Sequence, residues 1–231
     1  MNFFLDRLSL SGRLVIHYIY LKSQKYPGLN GRVFKKNGLK SLSENESHHL
    51  FSALKSISLL LKESDVEGII IGGLAVSLLG RPRYTNDIDL VVLNLDNRLS
   101  EFITRLKKLG IEPRIEDVEE FAAKSRVLLM RHIDSGINVD ISMGVLPFEI
   151  NAVAHRKIES FSGLEIFLPS PEDLIIFKSV AQRPQDIEDI KSILTRYPEL
   201  DKEYILSCVK EFSDILERMD LFKNIEKLIN A

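Results

Sequence analysis

One short stretch constrains this chain more than any other: Gly68-Ile69-Ile70-Ile71-Gly72-Gly73. A continuous apolar run of this length reads as a strand buried on both faces, and the paired glycines mark a tight turn at its end. Leu74 to Leu79 then reads as a brief helix, stopped by Gly80 with Pro82 just beyond. A strand that runs through Gly-Gly into a helix start presents backbone N–H groups with no side chain in front of them, a natural seat for phosphate oxygens. Glycines at such a place also serve simply to make the turn.

The next run, Ile88 to Leu93, reads as a second strand, preceded by the polar Tyr84-Thr85-Asn86-Asp87. Asp87 and Asp89 stand two apart, so both carboxylates project from one face while Ile88 and Leu90 point into the core. Like charges this close raise each other's pKa unless a cation joins them. Taken alone, the pair is a weak signal and better suits a strand that begins with acids for solubility. Asp140 repeats the arrangement: Asn138, Asp140 and Ser142 share one face, Ile137, Val139 and Ile141 the other. If the two strands are neighbours, the three acids converge. Carboxylates with open coordination positions suit Mg²⁺ or Mn²⁺, hard cations that share their coordination with phosphate oxygens.

Around this centre the pattern predicts a helix from Ser47 to Lys62 (Leu50, Phe51, Leu54, Ile57, Leu61) and another with the stripe Leu99, Phe102, Ile103, Leu106, Leu109. Asp96 or Asn97 is expected to cap the second, and Gly110 to close it. Arg126 to Ile133 and Ile137 to Met143 form a strand pair across Asp134-Ser135-Gly136, and Lys157 to Phe161 with Leu164 to Leu168 a hairpin across Ser162-Gly163. Ser170-Pro171-Glu172-Asp173 combines an N-cap serine with a first-turn proline and starts a helical remainder. Further helices are expected over Gln185 to Arg196, Lys202 to Phe212 and Ser213 to Ile229.

Lys178 is the only charge between Leu174 and Ala181, on a helix apolar almost all round. Such a lysine needs an anionic partner, which a triphosphate would supply, or it reaches water with its tip. Asp186 and Asp189 either order Lys178 or the acceptor, or cap and solvate a helix. Arg81 and Arg83 bring positive charge near the Gly-Gly turn or face solvent.

Composition excludes several classes. No stretch of the 231 residues approaches the roughly 18 uninterrupted apolar residues of a membrane span, and a soluble protein with no membrane partner is expected. The apolar patch Leu14 to Leu21 is interrupted by His17 and two tyrosines and lacks a cleavage site, so no targeting signal is read. A single cysteine, Cys208, excludes a disulfide framework and a cysteine-based zinc site, and points to the cytoplasm. His17, His48, His49, His132 and His155 lack metal-ligand spacing and are expected at the surface or in polar parts of the core. No P-loop, nucleophile elbow or Cys-His pairing is present. Residues 1 to 40 hold eight Lys or Arg against Asp6, a net of +7, which leaves −9 for the rest of a chain whose total is −2. Such an arm attracts nucleic acid or is a solvated leader; it contains a turn-rich loop at 26–31.

The stretch Ile70-Ile71-Gly72-Gly73-Leu74-Ala75-Val76, followed by Arg83-Tyr84-Thr85-Asn86-Asp87-Ile88-Asp89-Leu90-Val91, resembles the signature of the DNA polymerase β-like nucleotidyltransferase superfamily. The Arg-x-Thr-x-Asp-Ile-Asp form is similar to the AbiEii toxin-like branch, as is the run from Pro169 through Lys178 to Arg183, Asp186 and Asp189. The resemblance implies an α/β (α+β) fold, with a small mixed sheet carrying the acids on one face, helices on the other, and a C-terminal helical part closing over the nucleotide. The division expected is a basic extension over 1–45, a nucleotidyltransferase core over 46–168 and a helical subdomain over 169–231. It also implies transfer of a nucleoside monophosphate from an NTP to an acceptor hydroxyl. In that reading Asp87, Asp89 and Asp140 hold Mg²⁺ or Mn²⁺, and Asp140 activates the acceptor. Gly72, Gly73, Arg83, Thr85 and Lys178 meet the phosphates, and Asp186 and Asp189 support them. The implied acceptor is tRNA or protein, with a toxin role and a cognate antitoxin as partner. The alternatives are a small-molecule (antibiotic) nucleotidyltransferase and a non-catalytic nucleotide-binding module.

Overall fold

The computed structural model describes residues 44–230 apart from 64 and 84. The basic arm, its turn-rich loop and nearly all of the expected 1–45 extension lie outside the described residues. The elements in chain order are α1 (Glu44–Leu61), β1 (Gly68–Ile71), α2 (Gly72–Leu79), β2 (Asp87–Leu93), α3 (Leu99–Lys108), β3 (Ile111–Pro113), α4 (Val118–Ser125), β4 (Val127–His132) and β5 (Asn138–Gly144). There follow α5 (Pro147–Ala154), the hairpin β6 (Lys157–Phe161) and β7 (Leu164–Leu168), then α6 (Pro171–Ala181), α7 (Pro184–Arg196), α8 (Lys202–Ile215) and α9 (Met219–Ile229). Among the described residues no helix is long and apolar enough to cross a membrane.

Five strands form one mixed sheet in the order β1-β2-β5-β4-β3. Only β2 and β5 run parallel; the other pairs are antiparallel. The α/β fold class is therefore as expected. Ile88, Leu90 and Val92 on β2 and Val139 and Ile141 on β5 face the main core, which they share with Leu54 and Ile57 of α1 and Phe102 and Leu106 of α3. That same core continues without a break into Leu174 and Ile176 of α6, Ile190 and Ile193 of α7, and Ile225 of α9.

The acid-bearing face, for which no helix from the core was expected, is partly covered by one. Ile69, Val91 and Leu93 pack with Ala152 and Val153 of α5, with Ile71 and Phe177 beside them, in a second small cluster. Helix α5 went unread because it has only eight residues, but its start carries two ordinary signals, Pro147 in the first turn and Glu149. The buried carboxylate of Glu149 accepts from the N–H groups of Val145 and Leu146, both at 2.9 Å, which satisfies donors that the helix start would otherwise orphan. Burial pushes the Glu149 carboxyl up, against the pull of those two N–H groups.

Other departures have local causes. Helix α3 starts at Leu99 without a capping side chain, because Asp96 is turned to Arg126 instead of to the helix. The break between the last two helices lies at residues 216–218 rather than at Ser213. Glu217 takes a left-handed φ of 54°, and the Ser213 hydroxyl donates to the Arg218 carbonyl at 2.6 Å, so no glycine or proline marks the place. Strand β3 and helix α4 are too short for periodicity to show.

Replacing Glu149 with Ala is expected to leave the fold intact but cost about 1–3 kcal/mol, the penalty for two backbone donors stripped of their partner. A urea midpoint equal to that of the wild type would contradict this assignment.

Candidate active site

Strands β2 and β5 are neighbours, and their parallel register sets Asp89 opposite Asp140 and Asp87 opposite Asn138. Across the next ladder Leu129 of β4 stands opposite Asp140 and Arg131 opposite Asn138. Since side chains alternate along a strand, Asp87, Asp89, Asn138 and Asp140 all emerge from one face. Farther along β2 that face is sealed by α5, as Val91 and Leu93 show, so it is open only at its first two acids.

Gly72 has φ +68° and lies against Asp89: a Cβ added there would fall 2.0 Å from Asp89 Oδ2 and 2.9 Å from its Cβ. Gly73 is enclosed on its other side, with Arg83 Nη2 at 2.8 Å and Thr85 Oγ1 at 2.9 Å from an added Cβ. The turn is thus clamped between the β2 acid and the segment leading into β2. Helix α2 begins directly at Gly72, two residues before the expected start, and no side chain caps it. Ser77, which the sequence did not single out, fastens the clamp: its one hydroxyl proton lies within reach of the carbonyls of Arg83 (2.9 Å) and Gly73 (3.0 Å), and its oxygen accepts from the Arg83 N–H (3.3 Å). Thr85 Oγ1 donates to the Asp87 carbonyl at 3.1 Å, and Asn138 Nδ2 donates to Asp87 Oδ1 at 3.1 Å.

The anionic partner of Lys178 is protein. Its Nζ lies 2.9 Å from both Asp186 Oδ1 and Asp189 Oδ2, with 6% of the residue exposed. Asp189 also receives the Arg83 guanidinium through Nε and Nη2, both at 3.0 Å, and Arg183 Nε donates to Asp186 at 2.8 Å. Burial disfavours the Asp186 carboxylate, but Lys178 and Arg183 outweigh it and hold the group below its usual range. For Arg183 too, burial is outweighed, by Asp186 first and then by the charges of Asp89 and Asp189, so it sits above its ordinary value. Both readings left open hold in part: Asp186 and Asp189 bind Lys178, and with it the brace that carries Arg83 against Gly73, while Asp186 also caps α7 by accepting from the Arg183 N–H at 3.1 Å. Arg183 is the residue missed here: it stands in the same motif and its field reaches Asp89.

Asp140 is ion-paired to Arg114, which reaches it from two strands away after pairing its own N–H with the Leu129 carbonyl at 2.9 Å. The Arg114 Nε is buried without a hydrogen-bond partner. A three-residue strand precedes Arg114, and nothing in the sequence signals its reach. His132 is a core histidine, hydrogen-bonded to Ser135 (2.8 Å) and Ser56 (3.3 Å) and held below its ordinary pKa by burial.

The donor set suits a hard divalent cation: three carboxylates at adjacent register positions on one open face, with a glycine turn against the middle one. Among the described residues, however, no three acidic, His or Cys side chains are already gathered as a metal cluster. Arg114 and Asn138 hold two of the three acids.

Residues 48–228 match the family described as nucleotidyltransferase of unknown function, DUF6036. The chain belongs to that family. No curated protein matches this nucleotidyltransferase in sequence. Among solved structures, the antibiotic-resistance factor ANT(2'')-Ia superposes with a TM-score of 0.50 at 16% identity, covering 76% of this chain and 96% of its own. A nucleotidyltransferase-like protein from Paracoccidioides brasiliensis gives 0.48 at 19% identity, over 82% of this chain and 94% of its own. The lincosamide adenylyltransferase LnuA gives 0.44 at 18% identity, over 67% and 98%. At these identities the first likeness is one of fold, and the nucleotidyltransferase fold agrees with the mixed sheet described above.

Two substitutions probe the site as built. Gly72→Ala must move Asp89 or the turn and also occupy a left-handed backbone, at about 1–3 kcal/mol; nucleotide affinity should fall while the far-ultraviolet circular dichroism is retained. Lys178→Met strips a buried counter-charge from two carboxylates and should cost about 3–5 kcal/mol in chemical denaturation, far more than a surface lysine would.

Proposed function

We propose that this DUF6036 nucleotidyltransferase moves a nucleoside monophosphate from an NTP to an acceptor hydroxyl, with release of pyrophosphate, at the face formed by Asp87, Asp89 and Asp140. The observation that carries the reading is the β2–β5 register, which sets Asp89 beside Asp140 with the Gly72 turn packed on Asp89. In this reading the first backbone N–H groups of α2 receive phosphate oxygens, favoured by the helix dipole. Arg83, held by Asp189 and lying over Gly73, supplies positive charge at the same place. Lys178 acts as a positioning residue through Asp186 and Asp189, and Thr85 fixes the backbone of Asp87.

Asp87, Asp89 and Asp140 would hold Mg²⁺ or Mn²⁺, which when bound supplies the charge that steadies the attacking and leaving oxygens of an in-line displacement. Asp140 takes the proton of the acceptor hydroxyl; the bond from that oxygen to the α-phosphorus forms as the bond from the α-phosphorus to the bridging oxygen breaks. A place in the AbiEii toxin-like branch, with tRNA or protein as acceptor and an antitoxin as partner, rests on the Arg83 to Asp89 motif and on Lys178, Arg183, Asp186 and Asp189. The basic residues at 1–40 favour a macromolecular acceptor over a small antibiotic.

The test is incubation with Mg²⁺ or Mn²⁺, α-labelled NTPs and total cell extract. Label should pass to an acceptor, and Asp87→Ala should reduce the transfer by more than about 100-fold. Undiminished transfer by the variant would remove the site assignment. The position of the label, on RNA, protein or small molecule, identifies the acceptor class.

A further inference from the structure

A cavity of about 360 Å³ opens beside the acids, lined by His49 of α1, Thr85 and Asn86 before β2, and Arg131, Ser135 and Asn138 around the β4–β5 turn. Two observations tie it to the carboxylates. Asn138, in its wall, donates to Asp87. Thr85, also in its wall, faces Gly73 with its hydroxyl, so it stands between this cavity and the turn assigned to the NTP phosphates.

The sheet register places the parts. Asp87, Asn138 and Arg131 occupy one row across β2, β5 and β4, and Asp89, Asp140 and Leu129 the next. All these side chains leave the sheet on the acid-bearing side. Arg131 thus lies two strands from Asp87, about 10 Å at Cα, and one strand and one row from Asp140.

The chemistry of the lining is one-sided. Among the described residues it contains no carboxylate; it contains a guanidinium, an imidazole, two carboxamides and two hydroxyls. The Arg131 Nε donates to the Gly136 carbonyl at 3.1 Å, which holds the guanidinium over the turn, and no carboxylate among the described residues pairs with it. A polycationic acceptor such as an aminoglycoside would meet one fixed cation and, among the described lining residues, no carboxylate. A phosphate would meet a charge-assisted donor, the strong kind of hydrogen bond.

We propose that this cavity is the acceptor subsite and that it takes a phosphate-bearing acceptor, a nucleotide unit whose phosphate sits at Arg131 and whose hydroxyl is presented to Asp140. The inference rests on the nucleotidyl-transfer reading above. The phosphate belongs either to a free mononucleotide or to the terminal unit of a nucleic-acid strand.

The experiment measures equilibrium binding to the full chain with the donor site saturated by a non-hydrolysable NTP. The probes are a 5'-phosphorylated mononucleotide, the matching nucleoside, a short RNA ending in a 3'-hydroxyl, and an aminoglycoside. Phosphorylated probes should bind at least about 10-fold more tightly than the nucleoside, and Arg131→Gln should abolish that preference while leaving NTP affinity unchanged. Arg131→Lys should restore part of it. A mononucleotide that binds as tightly as the RNA identifies free nucleotide as the source; a markedly tighter RNA identifies a strand end. Equal affinities for wild type and Arg131→Gln, or a preference for the aminoglycoside, would overturn the proposal. Labelled-NTP transfer in the same samples separates the two readings. Transfer that ignores Arg131→Gln defeats the subsite alone, whereas an Arg131-dependent phosphate preference with no transfer to any probe defeats the transfer reaction alone.

Discussion

The parallel pairing of β2 with β5 is the constraint on which the rest of the site depends. It joins carboxylates that lie 51 residues apart in the chain, and it is the one parallel ladder in an otherwise antiparallel sheet. A parallel neighbour demands a crossover, and the chain makes it through α3, β3, α4 and β4 before β5 returns beside β2. A register slip by one residue would turn Asp140 into the core and Ile141 to the open face. The apolar alternation of Val139 and Ile141, both fully buried, makes such a slip prohibitive.

A second layer of organisation is electrostatic. Three acids on one face are unfavourable neighbours: Arg114, after β3, pairs with Asp140, and the charge of Arg183, at the start of α7, interacts with that of Asp89, while Arg83 before β2 lies over Gly73 and Lys178 on α6 is buried against Asp186 and Asp189. Asp186 and Asp189 are almost wholly buried, and they connect three of these cations into one network. Breaking any member leaves a charge in a low-dielectric setting, so the network resists partial loss and fixes α6 and α7 against the turn. Arg196 adds to this by donating to the carbonyls of Leu78 and Gly80 at the far end of α2, at 3.1 and 3.0 Å.

Much of this was readable in the residues, for identifiable reasons. Gly72, Asp87, Asp89 and Asp140 announce their places because strand periodicity and glycine chemistry are local properties, whereas the neighbour relation between β2 and β5 stood only as a condition until the register supplied it. Lys178 announced that it needed an anion, but periodicity could not say that the anion was Asp186 with Asp189, eight and eleven residues on, rather than a ligand. Arg114 and Ser77 were invisible because each acts through a tertiary contact with no spacing rule. The capping of α3 failed for the same reason: Asp96 had a better partner in Arg126, thirty residues away. Helix α5 was missed although Pro147 and Glu149 signalled it, since eight residues hold too few apolar positions to show a period.

The placement of α5 has a consequence for the chemistry. With Ala152 and Val153 over Val91 and Leu93, the acid-bearing face of β2 is covered beyond Asp89 and open at Asp87 and Asp89. Carboxylates at the edge of a sealed apolar surface keep access to solvent ligands while their electrostatic interactions are screened less than at a fully exposed site. In the state described, that strengthened field is met by Arg114 at Asp140 and by Asn138 at Asp87. On the proposed metal-binding reading, a cation shared by the three acids would compete with Arg114, whose Nε is buried without a hydrogen-bond partner.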